Sequence, residues 1–124
     1  GQMVSSLAAF EQYQRDDAWT WEHQALLRAR AVAGDAGVRA AFEVLRSKVL
    51  REYVRRDNLR AEVADMRARM RAELAAGTAE LLDLKQDEGG ITDIEFLVQY
   101  LVLRDAGRFP DLVRARIERA RCKG

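Results

Sequence analysis

Residues 85–103 read KQDEGGITDIEFLVQYLVL, in which a nearly continuous apolar run follows two glycines set among four carboxylates. The apolar residues cover most directions around a helix, which predicts a helix buried on nearly all sides. Glu95 and Gln99 lie one turn apart, so they form one polar stripe that needs a polar partner or cavity. Thr92 followed by Glu95 predicts a capping box, and Asp93 in the first turn suits the positive end of the helix dipole.

Two further helices are predicted before this stretch. Ser5 and Ser6 are suitable N-caps for a short helix that ends near residues 16–17. A second helix is predicted over residues 18–33. Gly34 follows it at the position where a helix C-terminus favours a left-handed residue.

The middle of the chain shows apolar residues at helical spacing in two segments, 36–53 and 57–74. They form either an antiparallel hairpin or one long rod, because RRDN at 55–58 is only a weak breaker. Residues 80–86 contain a short apolar segment that is compatible with a brief extended strand. Pro110 is suited to the first position of a last helix. The predicted fold class is all-α, a bundle of about five to six helices.

The composition indicates one helical domain, residues 1–124, without a strong electrostatic field. Lys and Arg number 21 against 20 Asp and Glu, and the net charge of +1 gives no reason to expect nucleic acid or a membrane as a partner. A single Cys, Cys122, and a single His exclude an internal disulfide and a closed zinc site. No signal peptide or membrane-spanning run is recognisable, so we expect a cytoplasmic protein.

A helix start after glycines favours negative ligands, because free N–H groups and the helix dipole both attract them. The four carboxylates nearby would repel a bare phosphate. This conflict is resolved if Mg²⁺ intervenes, or if Lys85 and arginines contact the phosphate while the acids meet ribose or base. The alternative is that the acids are helix caps and solvated loop charges. Asp93 and Glu95 are not a metal-binding D-x-E pair, because on a helix they point about 200° apart.

Two long motifs resemble a known family: AFEQYQRDDAWTWEHQALLRARAVAGD at residues 9–35 and DLKQDEGGITDIEFLVQYLVL at residues 83–103. They resemble the bifunctional glutamine synthetase adenylyltransferase and adenylyl-removing enzyme family. Within it, the chain is similar to the helical part that follows the C-terminal nucleotidyltransferase core, a part related to the helical domain of the PII uridylyltransferase. The resemblance covers residues 3–105 and does not extend to the tail.

The resemblance implies transfer of AMP from ATP to a tyrosine of glutamine synthetase, with ATP and Mg²⁺ as cofactors and under nitrogen control. Glutamine synthetase and a PII-type regulatory protein are the implied partners of the intact enzyme. The family's metal-binding aspartates, in a Gly-Ser turn and a later strand, have no counterpart here. The chain is therefore expected to be a fragment that needs the missing catalytic core, is inactive alone and binds no cofactor tightly.

Matching positions in the two motifs supply candidates for the nucleotide-facing side, but no catalytic residue and no metal ligand. The nucleotide-binding candidates are Lys85, Gly89, Gly90, Asp93, Glu95, His23, Arg28 and Arg30. His23 and Arg30 lie seven residues apart and Trp19 one turn before His23, so one helix face could offer stacking, a polar tip and a phosphate clamp. The alternative is that Trp19 and Trp21 pack in the core or against another domain and that His23 is structural. Arg28 and Arg30 would then pair with Asp16, Asp17 or Glu22.

Two functions remain open at this level. In the first, the chain forms one wall of an ATP site, with Lys85 and the glycines near the phosphates and Glu95 organising the loop or contacting Mg²⁺ indirectly. In the second, it is a non-catalytic module whose helices at 36–75 dock glutamine synthetase or a regulatory protein. Glu95→Ala separates the two, since it impairs nucleotide use in the first and removes only a cap in the second.

Overall fold

The computed structural model describes residues 4–74 and 83–113, and in these ranges it is all-α and contains no strand. This confirms the predicted fold class. The helices are α1 Leu7–Asp16, α2 Thr20–Leu26, α3 Ala36–Lys48, α4 Leu59–Leu74 and α5 Ile91–Asp105, and α3 continues into a π turn at Val49–Tyr53.

Helix α1 begins and ends where the sequence predicts. The Ser6 hydroxyl accepts a hydrogen bond from Ala9 N at 3.1 Å. Helix α3 has a similar cap, since Asp35 accepts from Gly37 N at 2.7 Å and from Val38 N at 3.3 Å. Both starts are determined by a polar side chain directly before the apolar pattern.

Helix α2 is shorter than predicted, because it ends at Leu26 and not near residue 33. The buried Arg46 of α3 donates from Nε to Leu26 O at 2.8 Å and from Nη2 to Leu27 O at 2.5 Å. This guanidinium satisfies carbonyls at the helix end, so the helix can stop there. Gly34 has a φ of 108°, but it lies in the connection to α3 and is not the C-cap of α2.

The segment from residue 36 to residue 74 is not a rod, because the helix breaks at residues 54–58. It is not a packed hairpin either. Helix α4 packs against α2 and α5, whereas the π turn packs against α1 and α2. Arg56 stabilises the break, since its Nε donates to Leu103 O at 3.1 Å and to Arg104 O at 3.2 Å at the end of α5.

The predicted extended segment is wrong for residues 83–86, which form a turn closed by Asp87 N and Asp83 O at 2.9 Å. Residues 80–82 of that prediction lie outside the described ranges. After Pro110, residues 111–113 begin a helical turn, as predicted, and the rest of the last predicted helix lies outside the described residues.

The core is one apolar cluster shared by α2, α3, the π turn, α4 and α5. Its buried residues are Leu26, Leu27, Leu45, Val49, Leu50, Val54, Leu59, Val63, Leu103, Ala106 and Val113. In the described part of the chain, no helix is long and apolar enough to cross a membrane.

Candidate functional site

The loop before α5 is a closed unit in which backbone groups pair with one another. Gly89 has a φ of 77°, which favours glycine. A Cβ on Gly90 would lie 2.6 Å from Leu84 O and 2.8 Å from Asp87 O. These close approaches let Ile91 N and Thr92 N donate to Leu84 O and Lys85 O, each at 3.0 Å. These two helix-start donors are therefore already used by loop carbonyls and are not free to bind a phosphate.

Asp93 fixes this loop to α4. Its Oδ2 accepts from Gly89 N at 2.7 Å, and its Oδ1 accepts from Arg67 Nε at 2.5 Å. Arg71 Nη2 adds contacts of 3.1 Å to both carboxylate oxygens. The Gly89 N–H and the Arg67 guanidinium hold the pKa of Asp93 below its usual range. Arg67 also donates from Nη2 to Gln86 O at 2.7 Å, so one buried guanidinium contacts both the loop and the helix start.

The predicted capping box of Thr92 and Glu95 is wrong. Helix α5 begins at Ile91 with Gly90 as its N-cap, so Thr92 lies inside the first turn. Thr92 is buried, and its hydroxyl finds no partner among the described residues. Glu95 is exposed. Asp93 takes the reciprocal role instead, since its side chain reaches back to the backbone N–H of Gly89.

Lys85 is held by its backbone and exposed at its side chain. Its N–H donates to Asp83 Oδ1 at 2.9 Å, and its carbonyl accepts from Thr92 N. No ion pair within residues 4–74 and 83–113 involves its ammonium. The loop therefore presents a cation with a fixed main chain and no carboxylate partner in that part of the chain.

Helix α5 is not buried on all sides, contrary to the prediction. One face carries exposed apolar side chains, which we call the open face of α5: Ile91, Ile94, Leu97, Val98 and Leu101. The two residues of the predicted polar stripe have different surroundings, because Glu95 is exposed whereas Gln99 is buried. Gln99 has the partner that its burial requires, since Gln24 Nε2 donates to its Oε1 at 3.1 Å. This bond connects the two motifs that carry the family resemblance.

His23 is buried and not on a surface. It is 1% exposed, and its Nε2 lies 3.0 Å from Gln14 O. Burial lowers the pKa of His23 despite this hydrogen bond, because it disfavours the charged ring. A ring this deeply buried is not accessible to a ligand from solvent, so the geometry favours a structural role for His23.

Arg28 and Arg30 are exposed and lie beyond the end of α2. The expected helix face of Trp19, His23 and Arg30 therefore does not form. None of the suggested partners Asp16, Asp17 and Glu22 pairs with these arginines in the described part of the chain, where Asp16 pairs with Arg15 and Glu22 accepts from Tyr13 Oη and Trp19 N. No hydrogen bond or ion pair between described residues joins either arginine to the glycine loop.

Trp19 and Trp21 are 67% and 48% exposed, so they do not pack in the core of this chain, and their packing against another domain stays a prediction. Trp19 is the N-cap residue of α2, and its backbone N–H donates to Glu22 Oε2 at 2.7 Å. The short helix thus buries its polar residues His23 and Gln24 and exposes both indoles.

Sequence reasoning missed three arginines that organise the site, two of them buried and one half-buried. Arg46, Arg56 and Arg67 direct their guanidinium groups to backbone carbonyls of other elements. Arg67 lies one turn after the core residue Val63, so its place in the apolar stripe of α4 was the available signal. Their partners come from distant parts of the chain and cannot be identified by spacing.

The fold and this loop define an all-α protein in which an arginine-bound carboxylate holds a glycine turn at a helix start. A sequence profile of the glutamate-ammonia ligase adenylyltransferase family matches residues 1–45. Two curated proteins, both named bifunctional glutamine synthetase adenylyltransferase/adenylyl-removing enzyme, are similar to most of the chain. The one from Hahella chejuensis is 52% identical over 118 residues, 91% of this chain and 12% of its own length. The one from Pseudomonas aeruginosa is 52% identical over 125 residues, 91% of this chain and 13% of its own length.

The chain belongs to the glutamine synthetase adenylyltransferase family. It spans only 12–13% of the length of these two relatives. The residues matched include both the α1–α2 motif and the glycine loop, so the similarity covers the elements that form the site.

Proposed function

We propose that the chain is a helical domain of a glutamine synthetase adenylyltransferase and forms one wall of its ATP site. The intact enzyme would transfer AMP from ATP to a tyrosine of glutamine synthetase in the cytoplasm, with Mg²⁺ and under control of a PII-type regulatory protein. A nucleotidyltransferase core outside this chain would carry the metal-binding aspartates, and we expect no transfer by this chain alone. Support comes from the 52% identity to relatives with this name.

The position of Lys85 is the observation that carries this proposal. Its backbone is bound on both sides within the closed loop, while its ammonium has no ion-pair partner among the described residues. A cation held in this way can meet a triphosphate without first breaking an ion pair. In phosphoryl chemistry, the contribution of such a group is positioning and charge neutralisation rather than proton transfer.

The described residues do not suit a Mg²⁺ site. No group of three His, Cys, Asp or Glu side chains gathers in residues 4–74 and 83–113. Asp93 is held by Arg67 and Arg71, so its carboxylate is already neutralised. The metal would therefore be bound by the core, and the part proposed for this chain is limited to the phosphates and the shape of the wall.

Charge reversal at Lys85 tests the proposal in a full-length enzyme that contains this segment. Lys85→Glu should raise KM for ATP about tenfold, the effect of one lost charge-assisted contact, with the fold retained. Arg69→Glu is the matched control, because Arg69 is an exposed cation of α4 that pairs with Asp65. Unchanged ATP kinetics in Lys85→Glu, or equal changes in both variants, would remove Lys85 from the site.

The second candidate function, a docking module, is supported by exposed apolar side chains. Val38 and Val44 of α3 are 55% and 71% exposed, in addition to the open face of α5. Glu95→Ala still separates the two functions, although Glu95 is not a cap. We now expect no loss of stability from this change. Impaired use of ATP in the full-length enzyme would favour the nucleotide wall, and unchanged use would favour docking.

A further inference from the structure

A cavity of about 470 Å³, open to solvent on one side, lies between residues 56–58, the first turns of α4 and the last turns of α5. It is at the opposite end of α5 from the glycine loop, and none of the nucleotide-binding candidates lines it. Its volume is in the range of about 300–1,000 Å³ that is typical of small-molecule sites. The function proposed above does not use it.

The walls of this cavity carry excess positive charge. Arg56, Arg60 and Arg104 line it together with a single carboxylate, that of Asp57. Arg104 is paired with Asp105 at 2.7 Å. Arg60 forms no ion pair with another described residue, so its charge is not compensated in that part of the chain. The cavity therefore favours an anion.

Arg56 is held rigidly by neutral acceptors. Its guanidinium donates to the carbonyls of Leu50 at 3.1 Å, Leu103 at 3.1 Å and Arg104 at 3.2 Å. These carbonyls carry no net charge, and the carboxylate that interacts with Arg56 through space is that of Asp105. Because the side chain is already immobilised, a ligand would not have to restrict it further, and this lowers the entropic cost of binding.

Apart from Asn58, the remaining walls are apolar or aromatic. Ala61, Ala64 and the ring of Tyr100 line the cavity beside the arginines. The Arg104 guanidinium lies 5.8 Å from the centroid of the Tyr100 ring. A flat apolar group could pack against the ring and the alanines while an anionic group meets the arginines.

We propose that this cavity binds a small organic anion, a carboxylate or phosphate joined to a flat apolar body. Arg56 and Arg60 contact the anionic group, and Tyr100 contacts the body. The binding is reversible and involves no chemical step. It places a second ligand site on the chain, separate from the glycine loop.

The experiment is an NMR titration of the 124-residue chain with phenyl phosphate, benzoate and inorganic phosphate. Phenyl phosphate or benzoate should shift the backbone amide signals of residues 60–64 and 100–104 in a saturable manner, and the tighter of the two identifies the anionic group. Inorganic phosphate should bind more weakly because it lacks the body. Arg60→Gln should weaken binding about tenfold. Arg69→Gln, on the same helix but outside the cavity, should bind as the unmodified chain does.

Three results would overturn the proposal. The first is the absence of saturable shifts at these residues at millimolar ligand. The second is equal affinity of the Arg60→Gln and Arg69→Gln variants in samples whose spectra show the native fold. The third is equal affinity for inorganic phosphate and phenyl phosphate, which would remove Tyr100 from the site. None of these results bears on Lys85 or the ATP site.

Discussion

At the scale of single residues, the two adjacent glycines of the loop have different physical roles. Gly89 has a φ of 77°, and nothing lies within 4 Å of the place where its Cβ would be. Gly90 has an ordinary φ of −76°, but its Cβ would meet backbone carbonyls at 2.6 Å and 2.8 Å. Gly89 is therefore required by its backbone conformation, and Gly90 is required by lack of space.

This difference predicts that Gly90→Ala destabilises the chain more than Gly89→Ala. Gly89→Ala should cost about 1–2 kcal/mol, the penalty of a left-handed residue with a side chain. Gly90→Ala must displace the carbonyls of Leu84 and Asp87, and we expect a loss of about 3 kcal/mol or more, the upper range for overpacking. Urea unfolding followed by circular dichroism measures both values.

Gly34→Ala is the matched control, because Gly34 has a φ of 108° and open space around its Cβ position. It should behave like Gly89→Ala. A Gly90→Ala variant as stable as these two would show that the loop relaxes easily, and that its closed hydrogen bonds do not depend on the approach of Leu84 O.

At the scale of elements, the sequence predicted a helix end where that end depends on residues adjacent in the chain. Helix α1 begins directly after Ser6, the N-cap that the sequence predicted, and α3 begins directly after Asp35, whose capping role was not predicted. The end of α2 was not predictable, because it depends on Arg46 located 20 residues away. The glycines of the loop were recognised, but the pairing of Asp93 with α4 was not, since it joins residues 26 positions apart.

Helix α5 also shows why burial could not be read from composition alone. An apolar run specifies which residues can be buried, but only the packing partners decide which of them are. In the described structure, α2 and α4 cover one side of α5, and the open face has no such cover. The apolar run is therefore consistent with a further packing partner, which the proposed catalytic core would supply.

The two sides of α5 should respond differently to substitution. Leu97 is 57% exposed, and Leu97→Lys should change the free energy of unfolding by no more than about 0.5 kcal/mol. Leu103 is fully buried, and Leu103→Ala should cost about 2–5 kcal/mol. Thermal and urea unfolding of the isolated chain measure both. A large loss in Leu97→Lys would mean that this face is covered in solution, for example by a second copy, and its dependence on protein concentration would test that.

At the scale of the whole molecule, the two motifs of the family meet in a single buried polar contact. Gln24 of α2 and Gln99 of α5 are 4% and 8% exposed, and they are separated by 75 positions in the chain. Their side-chain hydrogen bond is 3.1 Å long. It joins α2 directly to α5, and we expect it to contribute to the register of one helix against the other.

A double-mutant cycle with methionine tests this contact. Gln24→Met or Gln99→Met alone leaves a buried amide without its partner, and each should cost about 1–3 kcal/mol. The double variant replaces both amides by apolar side chains of similar shape, which is expected to be nearly neutral. The free energies should therefore be strongly non-additive in urea unfolding, with the double variant more stable than either single variant.

The ion pair of Glu11 and Lys48 is a suitable comparison. It also joins separate helices, with 2.7 Å between Lys48 Nζ and Glu11 Oε1, but it lies nearer the surface. A double-mutant cycle on this pair should give a smaller coupling energy than the glutamine cycle, since an exposed charge is rehydrated when its partner is lost. Additive losses in the glutamine cycle would contradict the inference that the two amides depend on each other. In that case the apolar core around Leu26 and Leu103 would determine the register of α2 against α5. The glutamines would not be needed for the packing of the two helices.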